Sequence, residues 1–135
     1  MNVKKLLVSG IVAGIAYFFL GFLFYGVLFV NETVSSVVGV NRQMDQMIWW
    51  SLILGSLLYG VLAAFVIGKA NITSIMSGIT TCAVLGFLVS ASYNFTIYAN
   101  TNLVTAKIIT YDIAISTVMV ALTGAVATLV SNKIK

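Results

Sequence analysis

The sequence predicts an all-α, integral membrane four-helix bundle, and three observations predict it. The chain has 135 residues, of which 61% are hydrophobic and 7% charged, against about 25% charge in soluble domains. Its mean hydropathy is +1.11. Its apolar residues fall into four runs, at about 6–30, 48–68, 74–98 and 107–131. Each is near or above the roughly 20 residues needed to cross about 30 Å of hydrocarbon. The runs take up most of the length, so a single membrane domain over 1–135 is expected.

The first run follows "MNVKK", a positive leader. Its apolar stretch is longer than the roughly 7–15 residues of a signal h-region, so a retained helix is expected. A polar link, "NETVSSVVGVNRQMDQM", comes next. Its Val34, Val37 and Val38 suit one face of a short interfacial turn. Trp49 and Trp50 open the second run, where amphipathic rings prefer the membrane surface. The very short link "KANIT" predicts that the second and third helices form an antiparallel hairpin. The third run ends at "ANTNLVTA", and the fourth at "NKIK". Proline is absent, so no proline kink is available.

Lysine and arginine counts predict orientation. Lys4, Lys5, Lys69, Lys133 and Lys135 fall on one side, and Arg42 and Lys107 on the other. This places both termini in the cytoplasm. Tyr25 and Tyr98 then lie near the outer ends of the first and third helices. The basic residues are scattered at helix ends, which suits lipid headgroups and gives no nucleic-acid signal.

In lipid, small residues rather than oily ones bring helices together. The first helix has Gly10 and Gly14, with Gly21 beyond. The second has Ser56, Gly60, Ala64 and Gly68. The third repeats every fourth residue: Ser74, Gly78, Cys82, Gly86, Ser90, Asn94 and Tyr98. The fourth offers Thr117, Ala121 and Ala125, with Gly124 beside them. Four-residue spacing drifts about 40° per step on a helix, so the third helix is expected to touch more than one neighbour. Bundle packing explains these stripes, and so would a homo-oligomer or a membrane partner subunit.

Asp112 is one of three acids in the chain, and the other two lie in the polar link. Five residues at 1.5 Å put it roughly 7–8 Å along the helix from Lys107, hence under the outer surface. Lys107 is not its natural partner, since residues five apart diverge by about 140°. Tyr25, Tyr93, Asn94 and Tyr98 are expected at similar height, and Tyr111 adjoins it. Asp112 then anchors the fourth helix through hydrogen bonds, lines an outward-facing pocket, or simply meets interfacial water.

Enzyme chemistry is poorly supported. Histidine is absent, which removes the commonest general base and metal ligand. The single Cys82 lies within an apolar run and reads as a packing residue. No metal or cofactor is expected, and the glycines sit inside helices rather than in a phosphate loop.

Two segments carry a family resemblance. "GFLFYGVLF", through Gly21, Phe24, Tyr25, Gly26 and Phe29, resembles the first-helix signature of a small bacterial membrane family, domain of unknown function 1761. "ITYDIAISTVMVALTGAV", with Asp112 early and Gly124 late, resembles that family's last helix. The family often has Trp in place of Phe24 and Pro in place of Val27. The resemblance implies a multi-pass protein of the bacterial inner (cytoplasmic) membrane and no established activity. The expected function is therefore a non-enzymatic membrane protein, an accessory or oligomeric subunit. The alternative is a small transporter or channel for a proton, cation or small amine, using Asp112.

Overall fold

The computed structural model describes residues 2–134, which form helices joined by short links, with no strand among them. Helix α1 spans Val3–Leu23 and runs on through one π turn, Phe24–Leu28. A short α2, Val30–Thr33, follows. Then come α3 (Trp49–Lys69), α4 (Ile75–Asn100) and α5 (Ala106–Lys133). The four long helices are each apolar and long enough to cross a membrane. At 1.5 Å per residue α4 and α5 measure about 39 and 42 Å, so their ends pass beyond about 30 Å of hydrocarbon or the helices tilt.

Local signals set the ends. Asn2 caps α1, its Oδ1 accepting from the Lys4 N–H at 2.9 Å. Thr105 caps α5 in the same way through the Ile108 N–H. Helix α3 stops in a Schellman turn. The Ile72 N–H donates to Ile67 O at 3.0 Å, and the Asn71 N–H to Gly68 O at 3.4 Å. Asn71 takes the left-handed conformation that this turn demands, with φ 52°; asparagine tolerates it better than most side chains. Ile72 then packs back onto the core beside Ile67.

Packing does not follow chain order. Helix α1 lies along α3, and α4 along α5; the two pairs join mainly through α1 and α5, with a smaller α3–α5 contact. The expected α3–α4 hairpin contact is corrected: these helices meet only weakly. A short link ties two helix ends but does not choose the faces that pack. Small residues choose them here. A methyl group on Gly14 would come within 2.6 Å of the Leu57 Cα, and one on Gly10 within 2.9 Å of the Val61 Cα. One on Gly60 would overlap the Gly14 backbone. In the other pair, a methyl on Gly124 would lie 2.6 Å from Gly78 O, and one on Gly86 would lie 2.7 Å from the Val120 Cβ. Backbones this close leave no room for a side chain.

Three further expectations change. Helix α4 gives its buried stripe (Gly78, Cys82, Gly86, Ser90, Asn94) to α5 and hardly touches α3, because the partner helix follows the ridge. On α5 the buried four-residue row is Val120, Gly124 and Thr128, not Thr117, Ala121 and Ala125, which are only half-buried. In the link after α1 the short helix forms at Val30–Thr33, and Val34 is already extended. Val34, Val37 and Val38 therefore build no helical face, and Val38 is 98% exposed. The Thr33 hydroxyl, bonded to Phe29 O at 2.8 Å, completes the turn one residue earlier.

Helix α5 is the central element. Half of its apolar stretch (50%) is buried inside the protein, against 22–28% for the other three. It touches α1, α3 and α4, and it carries Asp112.

Candidate functional site

Asp112 is the seventh residue of α5, about 9 Å from its start at 1.5 Å per residue. Three helices meet there. From α1, the Tyr25 hydroxyl donates to Asp112 Oδ1 at 2.6 Å. From α4, Asn94 Nδ2 donates to Oδ2 at 2.5 Å, and the Ser90 hydroxyl reaches the same oxygen at 3.4 Å. Asn94 is buried and also donates to Ser90 O at 2.9 Å, so both amide hydrogens are used. A carboxylate is an acceptor, which fixes the amide with its nitrogen toward Asp112.

The directions of the other bonds follow. Tyr25 has one hydroxyl hydrogen, and Asp112 takes it. Ser116, 3.1 Å from the Tyr25 oxygen, must then donate to it. Ser116 lies one turn after Asp112, on the same face of α5. The network therefore runs from Ser116 to Tyr25 to Asp112, with Asn94 and Ser90 closing the second oxygen. All these partners are neutral. An ionised carboxylate has about four lone-pair sites, and these donors occupy three.

Backbone geometry helps place Tyr25. The π turn at Phe24–Leu28 closes with a Phe29 N–H to Phe24 O bond of 2.8 Å. This wider turn brings residues five apart onto one side, so Phe24 and Phe29 stack with centroids 6.1 Å apart; in an α-helix they would diverge by about 140°. Phe29 in turn lies 6.0 Å from the Tyr111 ring on α5. Single π turns are often found at functional sites.

The remaining side of Asp112 borders an open cleft of about 1080 Å³. Tyr17, Tyr25 and Tyr59 line it, with Ser56 on α3 and Arg42 from the link between α2 and α3. The Tyr17 and Tyr59 rings stack face to face, 4.8 Å apart and 3° from parallel.

Of the six sequence candidates, Tyr25, Asn94 and Asp112 converge. Tyr93 and Tyr98 do not: they are 64% and 47% exposed, on the outward side of α4. Tyr111 points along α5 instead, with Lys107 Nζ 5.8 Å above its ring. Tyr93 and Tyr98 lie on the helix that supplies Asn94 but are turned away from its buried side. Sequence reasoning passed over Ser90 and Ser116 as site residues, although four-residue spacing from Asn94 and Asp112 marks both. Tyr17 and Tyr59 carried no comparable signal, because each sits singly within an apolar run.

No protein-family model, curated protein or solved structure matches this chain. The six packing glycines, Gly10, Gly14, Gly60, Gly78, Gly86 and Gly124, all lie in the contacts between this chain's own helices. Among the described residues no group of three metal-ligating side chains occurs.

Proposed function

We propose that this chain is a non-enzymatic, multi-pass protein of the bacterial inner membrane. Both termini are cytoplasmic, and Asp112 receives a small monovalent cation or amine from the outer face. One observation carries the reading: a carboxylate held by neutral donors borders an open cleft beside three tyrosines. A carboxylate attracts a cation, and aromatic faces add cation–π attraction. An acid inside a membrane segment marks a site by default. Arg42, on the rim of the same cleft, works against multiply charged cations. The resemblance to the family of domain of unknown function 1761, through Tyr25 and Asp112 among others, supports the bacterial setting.

The accessory or oligomeric reading drew on the small-residue faces, and these are used within the bundle. A packing-anchor role for Asp112 is the second reading, favoured by its three neutral donors. Titrating the purified, detergent-solubilised protein with benzylamine and its neutral analogue benzyl alcohol separates the two. The site reading expects a preference for the amine that falls at least about tenfold, or roughly 1.4 kcal/mol, in Asp112→Asn. That variant should remain folded, because an amide still makes hydrogen bonds. Equal binding of amine and alcohol, or an unaffected Asp112→Asn, would leave Asp112 as an anchor alone. Amine uptake into proteoliposomes by the wild type and not by Asp112→Asn would extend the reading to transport.

A further inference from the structure

At the end of the bundle opposite Asp112, a second cavity of about 260 Å³ opens between the start of α1, the α3–α4 turn and the end of α5. We propose that it holds the phosphate group of an anionic phospholipid. Its polar rim is rich in donors: the Lys5 ammonium and the side-chain amides of Asn2, Asn71 and Asn132. The Asn2 oxygen is already committed to capping α1, which leaves its NH2 group free to turn outward. The Schellman turn fixes Asn71 on the rim. Asn132 Nδ2 donates to Thr73 O at 2.7 Å and ties the end of α5 to that turn.

Charge points the same way. Lys4, Lys69 and Lys133 lie at this end with Lys5, and the three acids of the chain lie at the other. Lys5 is half-buried in the cavity wall, whereas Lys4 is exposed. The walls also carry Leu6, Ala64, Ile67 and Ile72, with the buried hydroxyls of Ser9 and Ser131 among them. A cationic rim beside aliphatic side chains and two hydroxyls suits the phosphate and glycerol ester of a lipid better than a free ion. Basic pockets between membrane helices commonly take such headgroups. The site is independent of Asp112 and rests only on the chain spanning a bilayer.

Native mass spectrometry of the full chain from mild detergent tests it, with phosphatidylglycerol and phosphatidylcholine of matched acyl chains. Phosphatidylglycerol should be retained preferentially, since choline would meet the lysine cluster. Lys5→Gln should weaken that retention about fivefold, the weight of one lysine near a membrane surface, while Lys5→Arg restores it and Lys4→Gln leaves it intact. Inorganic phosphate is the competing probe. Displacement by millimolar phosphate in the wild type and not in Lys5→Gln would keep the phosphate site but assign it to the soluble ion. Equal retention of the two lipids without phosphate competition would overturn the proposal, as would equal losses in Lys4→Gln and Lys5→Gln.

Discussion

The donors around Asp112 differ in how easily water replaces them, and that decides what each is worth. Tyr25, the donor to Oδ1, itself lines the open cleft, where water can take its place. Tyr25→Phe is expected to cost about 1 kcal/mol, the ordinary net value of a hydrogen bond. Asn94 is buried and serves the other oxygen, whose only remaining donor would be Ser90 at 3.4 Å. Asn94→Leu is expected to cost more, about 2–3 kcal/mol, because a buried acceptor is then left nearly unpaired. Detergent-denaturant unfolding of the two variants gives the order, and a larger loss for Tyr25→Phe would show that the cleft side is the dry one. The convergence of Tyr25 and Asn94 was legible because height along antiparallel helices follows from counting residues. Azimuth was not legible, since it depends on how each helix is rotated against its neighbours; Tyr93 adjoins Asn94 in sequence and yet faces outward.

At the scale of helices, pairing is set by where two backbones can touch. Gly60 and Gly55 lie on the same helix and make the sharpest comparison. A methyl group on Gly60 would meet the backbone of Gly14 and Gly10, whereas one on Gly55 would meet nothing within 4 Å. Backbone cannot move aside as a side chain can, so Gly60→Ala is expected to destabilise by at least about 1–3 kcal/mol through overpacking. Gly55→Ala should be neutral or slightly stabilising, since alanine favours a helix over glycine by about 1 kcal/mol. Unfolding midpoints of the two variants check this, and equal midpoints would mean that α1 and α3 do not approach as described. The four spans could be read from hydropathy to within about three residues, apart from the π turn that closes the first. The small-residue stripes on α1, α3 and α4 were equally visible. The choice of partner was not, because Gly60 in α3 is as compatible by sequence with the α4 stripe as with the α1 stripe. Only the complementary shapes of both pairs at once favour α1 with α3 and α4 with α5. The π turn was also invisible, since "FYGVL" contains no residue that forbids an ordinary α-helix.

Over the whole molecule, charge is segregated along the bundle axis. Lys4, Lys5, Lys69 and Lys133 cluster at the end that carries both termini, without an acid beside them. The other end holds Glu32, Asp45 and Asp112 with Arg42 and Lys107, one more acid than base, so the positive net charge of the chain comes from the lysines of the first end. The α2–α3 and α4–α5 links are joined there by a hydrogen bond from the Ser35 hydroxyl to Leu103 O. Positively charged short loops stay in the cytoplasm during insertion, so the lysine end should face inward and the Asp112 cleft outward. Single cysteines report this directly in a Cys82→Ser background, because Cys82 is buried between α4 and α5 and its removal leaves no competing thiol. Val38→Cys, on the most exposed part of the α2–α3 link, should react with a membrane-impermeant maleimide in intact cells. Lys69→Cys, exposed at the opposite end, should react only after the membrane is opened. The reverse pattern would turn the cleft toward the cytoplasm, and any cation bound at Asp112 would then be drawn from inside the cell. Equal labelling of both positions in intact cells would mean that the lysines do not fix one orientation, and the same carboxylate would face both compartments in different copies of the chain.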